Sequence, residues 1–89
     1  MQYNFEWDPT KAKSNFRKHK VSFERASEIF LDPSHSTNED RWMTLGKDRN
    51  NVTMVVVHTF REIDVDNSTI RIISARRATK REDKQYNSR

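Results

Sequence analysis

The sequence predicts an α+β domain: a small antiparallel sheet with two helices ahead of it and one behind it. Three stretches carry that expectation. Tyr3 to Trp7 alternates aromatic and polar side chains, as a half-buried strand does. Val52 to Phe60 (VTMVVVHTF) is a near-continuous apolar run and the expected central strand. Thr69 to Ser74 (TIRIIS) is a second β-branched run, and it passes straight into the basic segment Ala75 to Glu82.

Taken in order, the first strand ends at Asp8-Pro9, where Asp suits an N-cap and Pro the first helical position, whose N–H has no helical partner. Thr10 to Lys20 reads as a basic helix, with Ala12 and Phe16 on one face and Asn15 and His19 four apart beside them. Ser22 caps a second helix over Phe23 to Phe30, whose apolar stripe is Phe23, Ala26, Ile29 and Phe30. Asp32-Pro33 closes it. Ser34 to Asn38 fits a short edge strand, and Asp40 to Gly46 a strand of uneven pattern carrying Trp42, Met43 and Leu45. Gly46 is expected to start the polar turn that follows. Thr79 with Glu82 three residues on is a capping box, so the last helix should begin near Thr79 and run through Tyr86. Short connections in the second half predict a meander, and the helices are expected on one face of the sheet.

With 89 residues, the chain has room for one domain over residues 1–89 and a single modest core. Only 33% of residues are hydrophobic against 34% charged, so part of the apolar surface is expected to be completed by a partner. The formal net charge is +4, and it is unevenly spread. Residues 10–25 sum to +5, residues 71–89 to +5, and the remainder to −6. Two basic segments around an acidic middle give a one-sided field if the fold brings them together, suited to nucleic acid or to an acidic protein. There is no cysteine, hence no disulfide frame and no zinc-thiolate site. With no apolar run near the ~20 residues that span a bilayer, the expectation is a cytoplasmic protein with no membrane association.

The candidate chemistry lies in the basic segments. His19 stands between Lys18 and Lys20, and flanking cations favour the neutral ring, which accepts a proton. Cleaving RNA without a metal needs a base for the 2′-hydroxyl, cations for the phosphorane and an acid for the leaving 5′-oxygen. His19 fits a proton-transfer role, while Lys18, Arg61 and Arg76 fit the phosphate. Lys20, Arg71, Arg77, Lys80 and Arg81 are expected to contact flanking RNA phosphates. No metal and no cofactor is expected, since His19, His35 and His58 are scattered and unaccompanied by carboxylates at ligand spacing. The same residues also suit a helix-terminal histidine and a solvated basic face. A module that only binds nucleic acid, or one that meets an acidic protein, therefore stays open at this level.

Two long segments narrow the choice. Phe5 to Pro33 (FEWDPTKAKSNFRKHKVSFERASEIFLDP) and Ile70 to Tyr86 (IRIISARRATKREDKQY) resemble the N- and C-terminal signatures of BrnT-family toxins. RWMTLGK and VTMVVVHTF sit where that family has its middle strands. The resemblance implies a RelE-like fold and a metal-independent endoribonuclease of a type II toxin–antitoxin pair, which cleaves RNA and arrests translation. It also implies a BrnA-like antitoxin that neutralises the toxin and alone contacts operator DNA. It points to Lys18-His19, Arg61 and Ser74-Ala75-Arg76 as the active surface. Two positions depart from the family: Lys20 stands where glycine is usual, and Arg25 where a glutamate is frequent.

Overall fold

The structure is a computed structural model that describes residues 2–38, 40 and 42–88. Its elements are β1 (Gln2–Trp7), α1 (Pro9–His19), α2 (Phe23–Glu28) with a 3₁₀ turn over Ile29–Leu31, β2 (Ser36–Thr37), β3 (Met43–Lys47), β4 (Thr53–Glu62), β5 (Asn67–Arg77) and α3 (Lys80–Asn87). The five strands form one sheet in the order β1-β5-β4-β3-β2, with β4 at its centre as its apolar run predicts. Arg41, inside the strand expected over Asp40 to Gly46, lies outside the described residues.

Two expectations are corrected. The sheet is mixed: β2 to β5 form the antiparallel meander, but β1 pairs with β5 in parallel, from Gln2↔Asn67 to Trp7↔Ile72. Alternation in Tyr3, Phe5 and Trp7 fixes which side chains turn inward but carries no information about the partner strand or its direction. The helices also divide between the faces. α1 and α2 cover one, where Val21, Phe23, Ala26, Ile29 and Phe30 meet Met54, Val56, Ile70, Ile72 and Ala75. α3 binds the alternate side chains of the strands: Arg76 pairs with Glu82 and Thr53 donates to Asp83. The ring of Tyr86 lies under the Lys47 ammonium, and its hydroxyl donates to Asp32.

The aromatic residues of β1 seal the edge of the core. Phe5 and Tyr3 lie 5.6 and 6.1 Å from the Phe30 ring, and Trp7 meets Phe23 edge-on at 5.9 Å. Tyr3, Phe5 and Trp7 are each half-buried, so each contributes less than the roughly 1.5–3 kcal/mol of a fully buried ring. Trp7 is thus a core contact. Phe16 is not: it is 53% exposed, although it shares the face of half-buried Ala12.

Helix boundaries follow their caps. Asp8 accepts from the Thr10 N–H, Ser22 from the Arg25 N–H, and Thr79 and Glu82 form the reciprocal capping box. At the end of α1, Lys20 occupies the left-handed region at φ 60°, so the turn is made without the usual glycine. Arg25 does not act in a capping box; its guanidinium binds the buried Asp48 carboxylate at 2.6 and 3.1 Å and ties α2 to the β3–β4 turn. Gly46 is inside β3, not in the turn. A Cβ there would lie 2.9 Å from the Ile29 Cβ, so the glycine serves close approach of the 3₁₀ turn. The turn itself uses Asn51 at φ 67°.

Candidate nucleic-acid interface

The basic groove is created where β1 stops. Its pairing ends at Trp7↔Ile72, while β5 continues to Arg77, leaving the backbone of Ala75 facing an empty edge. Asn15 fills that place. Its Oδ1 accepts from the Ala75 N–H at 3.0 Å, and its Nδ2 donates to the Ala75 carbonyl at 2.9 Å and the Val21 carbonyl at 3.0 Å. A side-chain amide thus stands in for a strand residue and locks α1 against β5. Beside this lock, β5 carries a bulge. Val57 pairs with Ser74 and His58 with Ile72, so Ile73 has no partner and turns with Ser74 away from the core.

Between the bulge and one flank of α1 lies an open groove of about 260 Å³, lined by Thr10, Lys11, Ser14, Asn15, Lys18, His19, Ile73 and Ser74. Lys11, Ser14 and Lys18 recur at helical spacing, which places two ammonium groups and a hydroxyl along one wall. Neither lysine has an ion-pair partner among the described residues. His19, half-buried, closes the end of α1 in the same groove. Lys11 enters the charge count only as one of six cations, and Ser14 and Asn15 not at all, yet the 11-14-15-18 spacing is visible in the sequence once α1 is assigned.

The remaining candidates are spread more widely. Arg76 follows Ser74 by two residues on the same sheet face, but its guanidinium is clamped by Glu82 at 2.7 and 3.0 Å. The Arg76 hydrogen bond is the leading cause holding the Glu82 carboxyl down at about 2, with the Thr79 N–H assisting. Arg61 pairs in register with Thr69, five residues along β5 from Ser74, or roughly 16 Å at strand rise. It therefore does not share the groove. Arg71 lies diagonally across from Arg61 and makes an exposed 3.4 Å ion pair with Glu6. Arg77 is exposed at the end of β5, and Lys80 and Arg81 are exposed on the first turn of α3. Lys20 lines a different groove, between α1 and α2.

The other histidines have local partners. His58 is 1% exposed, hydrogen-bonded through Nε2 to the Thr44 hydroxyl at 2.8 Å, and burial pushes its imidazole below the ordinary value. His35 lies against Phe30, with Nδ1 at 2.7 Å from the Asp32 carbonyl. Trp42 remains 47% exposed, its indole N–H reaching Asp40 at 3.3 Å.

Fold and groove together define a small basic α+β protein with an imidazole and unpaired ammonium groups gathered at a bulged sheet edge. The family model described as "Ribonuclease toxin, BrnT, of type II toxin-antitoxin system" matches residues 7–82, and the chain belongs to this family. The class brings with it an antitoxin protein partner and an RNA target. Among solved structures, the chain is similar to the Brucella abortus ribonuclease toxin BrnT, seen at 1.1 Å resolution. The two are 26% identical over 90% of this chain and 100% of that one, with a TM-score of 0.63. No curated protein matches the sequence. Among the described residues, no helix is long and apolar enough to cross a membrane.

Proposed function

We propose that this toxin is a metal-independent endoribonuclease acting in the groove between α1 and the β5 bulge. The observation that carries the reading is the meeting of His19, Lys18 and Lys11 with the bulge residue Ser74 in that single groove. The His19 imidazole takes the proton of the 2′-hydroxyl, whose oxygen attacks the adjacent phosphorus. Lys18 and Lys11 balance the charge that builds on the phosphorane, and the 5′-oxygen leaves with the proton returned by the His19 imidazolium. Arg61 and Arg71, together on the sheet face that bears Ser74, hold phosphates further along the strand, and Lys20, Arg77, Lys80 and Arg81 add a diffuse field. Arg76, two residues beyond Ser74, has its guanidinium held by Glu82 and does not line the groove.

The family resemblance supports the remaining parts of the reading: a RelE-like fold, translation arrest as the outcome of cleavage, a cytoplasmic site of action, and a BrnA-like antitoxin through which operator DNA is reached. A second reading, phosphate binding without cleavage, is favoured by one feature. Apart from His19, the groove lining offers no imidazole, tyrosine or carboxylate to complete an acid–base pair.

Labelled RNA incubated with purified protein in EDTA separates these readings. Cutting by wild type, with loss in His19→Ala and Lys18→Ala, is the expected result. Cleavage that requires added divalent metal would reject metal independence, and equal cutting by His19→Ala would reject the site. RNA that is bound but left intact would favour the second reading.

A further inference from the structure

α1 separates two cationic grooves of different character. The first, on the Lys11-Lys18 flank, is polar and lined by hydroxyls. The second, of about 550 Å³, lies between α1 and α2 and is apolar at its centre. Phe16 is 53% exposed there, above Ala12 and the buried Phe23. Lys13, Arg17 and Lys20 rim it, and none of the three has an ion-pair partner among the described residues. Elsewhere Arg25, Arg71 and Arg76 are all paired with carboxylates. A solvated basic face does not need a large aromatic ring held half out of the fold in its middle. A track for RNA backbone, in turn, gains nothing from an apolar floor with Glu24 on its rim.

We infer that the α1–α2 groove docks an acidic segment of the antitoxin, with an apolar side chain seated on Phe16 and carboxylates facing Lys13, Arg17 and Lys20. The inference rests on the functional reading only in taking the partner to be the antitoxin. Charge complementarity selects the occupant: three uncompensated cations around an aromatic anchor match alternating apolar and acidic residues. The two flanks of α1 thus divide the work, one facing RNA and the other facing protein, and an antitoxin seated on the second would overhang the first.

The test is titration of fluorescently labelled toxin with its purified antitoxin, alongside RNA binding by the free toxin. Phe16→Ala is expected to weaken antitoxin binding by at least about tenfold, and the double variant Lys13→Glu/Arg17→Glu by at least about a hundredfold. Phe16→Ala should keep wild-type melting and RNA affinity, since its ring is exposed, and in the double variant RNA affinity should fall far less than antitoxin affinity. Lys11→Glu/Lys18→Glu should show the opposite pattern. Wild-type antitoxin affinity in the Phe16 and Lys13/Arg17 variants would overturn the inference. So would loss of RNA affinity with antitoxin affinity retained, which would assign the groove to RNA. Because the titration needs no catalysis, it reads out even if the protein proves unable to cut RNA.

Discussion

Replacing Asn15 by alanine removes three hydrogen bonds at once, and the structure allows its cost to be worked out. The side chain is buried, and its partners are the Ala75 N–H, the Ala75 carbonyl and the Val21 carbonyl, at 3.0, 2.9 and 3.0 Å. Val21 and Ala75 are 0% and 1% exposed, so water cannot readily take over. Each buried backbone group left unpaired costs about 1–3 kcal/mol, with carbonyls at the lower end. The total is about 3–4 kcal/mol, against a stability of about 5–10 kcal/mol for a domain of this size. Thermal unfolding followed by far-UV circular dichroism should show a melting temperature lower by about 15 °C or more. Asn15→Asp provides the sharper test. One carboxylate oxygen still accepts from the Ala75 N–H, but the other faces two carbonyls, so the folded state raises this carboxyl's pKa. The introduced carboxyl regains a donor when protonated, and the variant should gain stability relative to wild type as pH falls below about 5. A loss below about 1 kcal/mol in Asn15→Ala, or no relative gain at low pH in Asn15→Asp, would refute the idea that this amide stands in for a strand.

Three further perturbations follow from particular contacts. Gly46→Ala would put a Cβ 2.9 Å from the Ile29 Cβ and 3.0 Å from the Ile29 carbonyl oxygen, so chemical denaturation should reveal a loss of about 1–3 kcal/mol. Lys20→Gly relieves a left-handed lysine at φ 60° and should raise stability by about 0.5 kcal/mol, most of the relief being offset by the extra freedom of unfolded glycine. Acid should destabilise the fold in two steps, read from melting temperature against pH. His58 is buried in its neutral form, so stability falls as pH drops below the ordinary imidazole value of 6.5, and His58→Gln should flatten that limb. Glu82 contributes through Arg76 above pH 4.5, and this is lost as pH falls toward about 2. The pair is partly exposed, so its loss should cost only about 1 kcal/mol, and Glu82→Gln should shrink the second step, which the lowered Asp32 and Asp48 carboxyls share.

What the sequence made legible is what local chemistry determines. Caps at Asp8, Ser22 and Thr79 and the apolar runs of β4 and β5 depend on neighbouring residues, and they locate the elements to within a few positions. The parallel pairing of β1 depends on a strand some sixty-five residues away, and nothing in Tyr3, Phe5 or Trp7 encodes its direction. Gly46 reads as a turn glycine next to Lys47-Asp48, because close approach to Ile29 is a tertiary fact. In the candidate site, Lys18 and His19 could be picked out by charge. Arg76 reads as equally free in the sequence, because its clamp by Glu82 depends on how α3 folds back onto β5. Asn15 has no charge to draw attention to it, and its importance comes from the short length of β1.

The charge on α1 connects the two grooves energetically. Its 11 residues include Lys11, Lys13, Arg17 and Lys18, with Lys20 just beyond, and no acidic residue stands in the first turn. Lys13 and Arg17 repel at i, i+4 spacing, and Lys11 lies at the unfavourable end of the helix dipole, whereas Arg17 and Lys18 lie at the favourable one. The helix is therefore held by the Asp8 cap, the Asn15 lock and its apolar contacts against its own electrostatics. A polyanion on either flank relieves that repulsion, so RNA and an acidic protein segment should each stabilise α1. Seated together they would compete through excluded volume while sharing the same electrostatic gain. Added salt screens the repulsion within α1 but also the attraction for both ligands. Raising ionic strength should thus increase the melting temperature of the free toxin while weakening both complexes. A free toxin that melts lower at high salt would show that the unpaired cations are not a cost to the fold, and would remove the electrostatic link between the two grooves.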